Sequence, residues 1–196
     1  MKTIETKVYN FDELSDEAKE TARSWFREGD DFSFHAENVI DAAKEIAKLM
    51  GINIKNIYYT GFYSQGDGAC FEGTYIYKAG SIKAVREYAP LDRELHNIVV
   101  DLWKAQRPAF YRLEAHVKHR GHYQHSGCTE IEVYNTEHPH SDVPQEEDIK
   151  DALRSFMDWI YSQLDKENDY QNSDEVTDEN ILANEYTFTE SGKRFG

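Results

Sequence analysis

The sequence predicts an α+β fold in which helices cover one face of an antiparallel sheet of about four to six strands. Two kinds of segment support this prediction. Short stretches rich in Thr, Tyr and Ile follow one another in pairs, as in hairpins, and longer stretches carry apolar residues at helical spacing. A glycine-rich segment, residues 61–73, separates the first pair of predicted strands.

The first predicted hairpin contains the most specific turn signal of the chain. Residues 56–60 and 74–77 have the composition of strands, and between them Gly66 and Gly68 flank Asp67. Glycine adopts positive φ without a steric penalty, so we expect a positive φ at one of these two glycines. Asp67 has two interpretations: a turn residue that accepts backbone hydrogen bonds, or an exposed acceptor that contacts a partner.

The N-terminal region predicts one strand and two helices. Residues 2–9 mix Thr and β-branched residues in near alternation, which is typical of a strand. A helix is expected between Ser15, whose hydroxyl can cap it, and Gly29, which ends it. A second helix over 33–50 has an apolar stripe and ends at Gly51 in a left-handed cap.

The middle of the chain predicts two more helices and a second hairpin. Ser81 can cap a short helix over 81–88, and a stronger amphipathic helix follows over 91–106. Residues 109–118 and 128–135 alternate as strands do, and a connection with glycine at both ends separates them. We therefore expect these two strands to pair.

The C-terminal third begins with the longest predicted helix, over 145–164, with Pro144 in its first turn. Residues 166–178 are polar and acidic, which favours a linker or a loosely ordered arm. A short helix over 179–184 and a strand over 186–189 are expected to dock back on the sheet. The whole predicts a core domain over residues 1–165 and an acidic appendage over 166–196.

Acidic residues are concentrated near the C-terminus. The 196 residues carry 37 Asp and Glu against 22 Lys and Arg, a formal net charge of −15. Residues 137–190 contain 16 of the acids and three of the bases, so they account for −13 of that charge. Such a charge disfavours binding to DNA or to an anionic membrane and favours a basic protein surface. A solvated helix that maintains solubility is the alternative interpretation.

The remaining composition predicts a cytoplasmic protein. No stretch approaches the about 18 apolar residues that a membrane span requires, and the N-terminus lacks the apolar region of a signal peptide. Cys70 and Cys128 form no CxxC pair, so we expect two reduced thiols. No nucleotide-binding or nucleophile motif is present, and we expect no cofactor.

Two motifs resemble a known family. The segment Tyr-Thr-Gly-Phe-Tyr-Ser-Gln-Gly-Asp-Gly-Ala-Cys-Phe-Glu-Gly at residues 59–73 and the segment Ile-Leu-Ala-Asn-Glu-Tyr-Thr-Phe-Thr-Glu-Ser-Gly at residues 181–192 are similar to small acidic bacteriophage accessory proteins. Some members of that family are described as antitoxin-like. The resemblance is loose elsewhere between residues 9 and 195. It implies a phage protein that acts in the host cytoplasm, and it implies no catalytic residues.

A histidine series supports an alternative hypothesis, a metal-dependent enzyme. His116, His119, His122, His125 and Cys128 recur every third residue, and imidazole and thiolate are zinc ligands. His119, His122, His125 and Cys128 are the candidate ligands. The spacing suits neither a strand, where odd offsets alternate faces, nor a helix interrupted by glycines. A solvated loop is therefore the favoured interpretation, with no metal site.

A basic and aromatic patch over residues 107–125 could contact single-stranded nucleic acid, but the acidic charge of the chain opposes phosphate. We expect no direct nucleic-acid binding. Instead, the acidic helix could neutralise this patch internally. Two other groups are the candidate partner-binding residues: tyrosines and a turn aspartate of the first hairpin, and acids on the outer side of the long helix. They are Tyr58, Tyr63, Asp67, Tyr75, Tyr77, Glu147, Asp151 and Asp158.

These observations lead to one functional hypothesis. The protein is expected to bind a host protein with a basic surface, such as one that holds nucleic acid, and to inhibit a bacterial defence or toxin component by occluding it. The biological setting comes from the resemblance to phage proteins. The mechanism comes from the acidic C-terminal region, the tyrosine-rich hairpin and the lack of a coherent catalytic motif.

Overall fold

The structure is a computed structural model that describes residues 5–29 and 32–196, and it confirms the α+β fold. The chain forms two compact units: one is Ala36–Asp165, and the other comprises the two ends of the chain, up to His35 and from Lys166. The helices and strands are β1 (Tyr9–Asn10), α1 (Asp16–Gly29), α2 (Phe32–Met50), β2 (Ile52–Thr60), β3 (Gly68–Ile76), α3 (Ser81–Tyr88), α4 (Arg93–Gln106), β4 (Leu113–His119), β5 (Thr129–Asn135), α5 (Glu146–Gln171), α6 (Asp174–Ala183) and β6 (Thr187–Phe188).

The unit Ala36–Asp165 is built on a four-stranded antiparallel sheet in the order β2-β3-β4-β5. Both predicted hairpins are confirmed: β2 pairs with β3, and β4 pairs with β5. Gly66 has a φ of +102°, as predicted for one glycine of the first turn. Gly68 is constrained differently, since a Cβ there would lie 2.5 Å from the Cβ of His125.

The core of this unit lies between one face of the sheet and the helices. Alternate residues of β4 and β5 point into it, including Ala115 and Ile131, while Glu132 points the other way and is exposed. The ring of Phe71 on β3 meets Phe156 on α5 edge-on at 6.1 Å between centroids, and both rings are fully buried. The predicted covering of one sheet face by helices is therefore observed.

A single aspartate joins the start of α4 to the middle of α5. Asp92 is the N-cap of α4, and its Oδ1 accepts a hydrogen bond from the Leu95 amide at 3.0 Å. Its other oxygen, Oδ2, accepts one from Nε1 of Trp159 at 2.9 Å. Trp159 is only 5 % exposed and stacks on Phe156 at 5.6 Å. One carboxylate thus caps one helix and anchors the other.

The unit formed by the chain ends has its own apolar cluster. Strand β1 pairs with β6, and helix α1 packs on α6. The guanidinium of Arg23 binds both carboxylate oxygens of Asp178, at 2.6 and 2.7 Å, and this hydrogen bonding raises the pKa of Arg23. The buried residues of the cluster are Phe11, Leu14, Ala18, Ala22, Ile181 and Phe188.

Several sequence predictions in this unit need correction. The linker predicted over 166–178 is wrong, because α5 continues to Gln171 and α6 begins at Asp174, capped by Ser173. The sequence placed residues 1–165 in one domain, whereas the N-terminal residues up to His35 share a unit with Lys166–Gly196. The last strand pairs with β1 in a separate two-stranded sheet, not with the main sheet.

Smaller corrections concern element boundaries. The strand predicted over 2–9 lies partly outside the described residues, and within them only Tyr9–Asn10 is a strand. Gly80, not Ser81, is the N-cap of α3. Strand β4 begins at Leu113 because Phe110 and Tyr111 have φ values of +54° and +63°, which a strand excludes. Across the residues that the structure describes, no helix is both long and apolar enough to cross a membrane.

Candidate binding surfaces

An acidic groove lies between α4 and α5 and has a volume of about 510 Å³. Four carboxylates line it, those of Glu94 and Asp101 on α4 and of Asp148 and Asp151 on α5, and all four residues are exposed. The groove also contains one cation, Lys104, whose Nζ lies 2.8 Å from Asp101 Oδ1. The acidic groove is therefore strongly anionic.

Two of its carboxylates are not neutralised. Glu94 and Asp148 form no ion pair with any residue of the described segments. Asp151 has only a distant partner, Arg154, at 3.7 Å. Asp148 lies in the first turn of α5, where the helix dipole favours a negative charge, so local helix chemistry accounts for part of this acidity. Glu94 lies in the first turn of α4 and is favoured in the same way. The dipole does not explain Asp101 or Asp151, which lie beyond the first turns and line the same groove.

The other predicted acids of the long helix differ in their surroundings. Glu147 is exposed, but its carboxylate lies 3.0 Å from Nζ of Lys150, which also binds Glu146 at 2.6 Å. The hydrogen bond that Lys150 donates to Glu146 raises the pKa of Lys150, so this cation stays charged and neutralises its neighbours. Asp158 is exposed and does not line the acidic groove. Of the three predicted acids, the structure places Asp151 in a concave site.

The basic side chains at the end of β4 form ion pairs with strand β5 and not with helix α5. Lys118 on β4 pairs with Glu132 at 3.7 Å, and Arg120 pairs with Glu130 at 2.5 Å. Both acids belong to the neighbouring strand β5. The expectation that the acidic helix neutralises this patch is therefore wrong, and the carboxylates of the acidic groove remain available to a partner.

The tyrosines of the first hairpin do not form a continuous exposed strip. Tyr75 is 1 % exposed and belongs to the core, so its assignment to a partner-binding face is wrong. Burial raises its pKa, as expected for a phenol in an apolar site. Tyr77 is half-buried and stacks on Tyr111 at 4.5 Å between centroids. Tyr63 is the exception, with 83 % of its surface exposed.

Tyr58 takes part in a polar network on the uncovered face of the sheet. Its hydroxyl donates to Glu72 Oε2 at 3.0 Å, and Asn56 Nδ2 donates to the same oxygen at 3.2 Å. Hydrogen bonds from Asn56 and Tyr58 lower the pKa of Glu72, and the bond to Glu72 raises the pKa of Tyr58. The ring of Tyr58 stacks on His119 at 4.9 Å. Its polar and aromatic groups are therefore already engaged.

Asp67 acts as a turn residue. Its Oδ2 accepts hydrogen bonds from the amides of Tyr63 at 3.0 Å and Ser64 at 2.6 Å, which closes the connection between β2 and β3. The same connection rests on α5, where the hydroxyl of Tyr161 donates to the Gly61 carbonyl at 3.1 Å. The structure thus supports the turn interpretation and presents Tyr63 on a tethered loop.

The histidine series is dispersed among local contacts. His119 Nε2 lies 2.9 Å from the Tyr123 carbonyl, and His122 is exposed with its ring edge-on to Tyr123. His125 Nδ1 accepts from the Gly127 amide at 3.1 Å, while its Nε2 lies 3.4 Å from the sulfur of Cys128. Among the described residues, no group of three or more His, Cys, Asp or Glu side chains is arranged to hold a metal ion.

The sequence predictions missed Glu94 and Asp101, the α4 side of the acidic groove. Their separation of seven residues places both on the same side of an α-helix, as 3.6 residues per turn requires. Asp148 and Asp151, three residues apart, are neighbours on α5 in the same way. The sequence shows the spacing of acids within each helix. It does not show which helices lie side by side, because that depends on tertiary packing.

Comparison with known proteins shows the family of this chain. No curated protein and no solved structure matches it. A family model described as a domain of unknown function, DUF8835, matches residues 35–174, which is well over half of the sequence. The matched segment includes the four-stranded sheet and both helices of the acidic groove. The chain therefore belongs to the DUF8835 family.

Proposed function

We propose that the protein is a phage-encoded inhibitor that binds a basic surface of a bacterial defence or toxin component through the acidic groove. The observation that carries the proposal is the set of exposed groove carboxylates, of which Glu94 and Asp148 have no cationic partner in the described segments. Unpaired charges of one sign in a concave site concentrate the local field and attract groups of the opposite sign.

Occlusion follows from the chemistry of the partner. A surface that binds nucleic acid presents Lys and Arg at positions where phosphates bind. Carboxylates held on two packed helices offer those cations similar anionic acceptors, and Arg binds carboxylate bidentately as it binds phosphate. Bound in this way, the protein excludes the nucleic acid. The resemblance of residues 59–73 and 181–192 to phage accessory proteins supplies the setting, the host cytoplasm.

The test is affinity purification from host extract with two matched variants. The groove variant carries Glu94→Gln, Asp148→Asn and Asp151→Asn, which keep the size of each side chain. The control variant removes the same charge from exposed acids outside the acidic groove with Glu37→Gln, Glu179→Gln and Glu190→Gln.

We expect wild type and the control variant to retain the same host protein at physiological salt, and the groove variant to lose it. The retained protein should bind nucleic acid or heparin, and wild type should compete with that binding. Equal retention by the groove variant would contradict the proposal. So would a retained partner with an acidic surface.

A further inference from the structure

A second groove lies beside helix α3 and differs in character from the acidic groove. It has a volume of about 430 Å³, within the range of about 300–1,000 Å³ of small-molecule sites. We call it the α3 groove. The start of a helix, basic side chains and aromatic rings line it. These features belong to Tyr77, Ser81, Ile82, Lys83, Arg86 and Trp103.

One end of the α3 groove offers donors to an anion. The N-cap of α3 is Gly80, with a φ of +83° and no side chain to cap the helix. The amides of Ile82 and Lys83 have no acceptor in the parts of the chain that are described. Free amides at a helix N-terminus, together with the helix dipole, bind anions such as phosphate.

A hydroxyl group that can donate to an anion lies at the same place. Ser81 lines the α3 groove and is only 6 % exposed, yet its Oγ has no hydrogen-bond partner within the described residues. This hydroxyl is free to donate a hydrogen bond to an anion bound in the α3 groove. The side chain of Lys83 adds positive charge in the first turn of α3, and Arg86 in the last turn of the helix adds a second cation to the groove lining.

The acid of the α3 groove does not block this end. Glu87 reaches Lys83 at 3.6 Å, but the two side chains are 68 % and 81 % exposed. Such an exposed pair is worth about 0–1 kcal/mol, so an anionic ligand can replace Glu87 at Lys83 with little loss.

The α3 groove also has an aromatic lining whose rings are held in place. Tyr77 stacks on Tyr111 at 4.5 Å, with an angle of 30° between the rings. The guanidinium of Arg107 lies over the indole of Trp103 at 5.5 Å. These contacts orient the rings of Tyr77 and Trp103, which line the α3 groove and offer a flat apolar surface to a planar group.

We infer that the α3 groove binds a phosphorylated nucleoside, with its phosphate at the start of α3 and its base against Tyr77 and Trp103. Neither half alone specifies this ligand: amides and cations would bind many anions, and aromatic rings many planar groups. A phosphate next to a planar base satisfies both. The same chemistry occurs in a free nucleotide and at the phosphorylated 5′ end of a single strand, and the experiment separates these two sources.

The experiment is isothermal titration calorimetry of the full chain with four probes: adenosine 5′-monophosphate, adenosine, inorganic phosphate and a 5′-phosphorylated tetranucleotide. We expect one site for the monophosphate and at least about tenfold weaker binding of adenosine and of phosphate. If the tetranucleotide binds as tightly as the monophosphate, the source is a strand end. If it binds more weakly, the source is a free nucleotide.

Two variants and one control test the location of this site. Ser81→Ala and Lys83→Gln should each weaken binding of the monophosphate by about fivefold or more, since each removes a donor to the phosphate. Lys48→Gln removes the same charge outside both grooves, from an exposed lysine that pairs with Glu45 as Lys83 pairs with Glu87, and should leave the affinity unchanged. Absence of monophosphate binding at about 1 mM would overturn the inference. Wild-type affinity in Lys83→Gln, whose exposed side chain is not needed for folding, would overturn it too.

Discussion

Replacing Asp92 by alanine is expected to destabilise the protein more than most changes of a partly exposed residue. The substitution removes two hydrogen bonds that Asp92 accepts, one from the Leu95 amide at 3.0 Å and one from the indole N–H of Trp159 at 2.9 Å. Losing an N-cap aspartate costs about 0.5–2 kcal/mol. Leaving a buried N–H without an acceptor costs about 1–3 kcal/mol. The sum predicts a loss of about 1.5–5 kcal/mol in the free energy of unfolding.

A second substitution separates the contribution of the α4 cap from that of the hydrogen bond with Trp159. Asp92→Asn retains an oxygen that can cap α4, because Asn is as good an N-cap as Asp, but it places an amide where Trp159 needs an acceptor. We therefore expect Asp92→Asn to cost about 1–2 kcal/mol, less than the alanine variant. In the background of Trp159→Phe, Asp92→Ala should cost only the helix cap. The coupling energy between the two residues should therefore equal the cost of the unpaired indole N–H, about 1–3 kcal/mol.

The assay is urea unfolding followed by circular dichroism, with stability taken from the midpoint and slope. A free energy of unfolding of Asp92→Ala within about 0.5 kcal/mol of the wild-type value would contradict this prediction. So would equality between the loss in the double variant and the sum of the losses in Asp92→Ala and Trp159→Phe, because the interaction of the two side chains would then contribute nothing to stability. This outcome bears on function as well, since Asp92 holds together the two helices of the acidic groove.

Three further predictions use the same structural reasoning. Gly66→Val should cost about 1–3 kcal/mol in thermal or chemical unfolding, because φ is +102° there, and unchanged stability would contradict this. Burial raises the pKa of Cys70 to about 12, so iodoacetamide at pH 8 should alkylate Cys128 in the folded protein and leave Cys70 unmodified by mass spectrometry. Hydrogen bonds lower the pKa of Glu72 from its ordinary value of 4.5, so its contribution to stability is present above that value and is lost as pH falls through the lowered pKa. Glu72→Gln should therefore destabilise at pH 7 and much less at pH 3, and a pH-independent difference would exclude this origin.

The local features of the fold were predictable from the sequence because they depend on neighbouring residues. Ser15 accepts a hydrogen bond from the Ala18 amide, Gly51 has a φ of +88°, and Gly66 provides the hairpin turn. Each of these requires only a short stretch of chain and the conformational preference of one residue type. The alternation of apolar residues likewise identified the strands of both hairpins.

The errors arose where distant segments decide the structure. Composition alone made residues 166–178 look like a linker, but contacts with α1, such as that of Asp178 with Arg23, stabilise a helix there. Tyr75 could not be distinguished from an exposed tyrosine without knowing that its face of the sheet is covered. Of the four carboxylates of the acidic groove, only Asp151 was among the predicted residues, because Glu94 and Asp148 line one groove only when α4 and α5 lie side by side.

The association rate with the partner recovered from host extract shows whether the acidic groove recognises a basic surface. Surface plasmon resonance would compare wild type, the groove variant and the control variant at two salt concentrations, about 0.05 and 0.3 M. Between these two concentrations the Debye length falls from about 14 to about 6 Å. We predict that wild type and the control variant associate quickly and slow strongly with salt. The groove variant should associate about tenfold more slowly at low salt and depend less on salt. A groove variant with the wild-type rate and the wild-type salt dependence would contradict the proposal that the acidic groove recognises a basic surface.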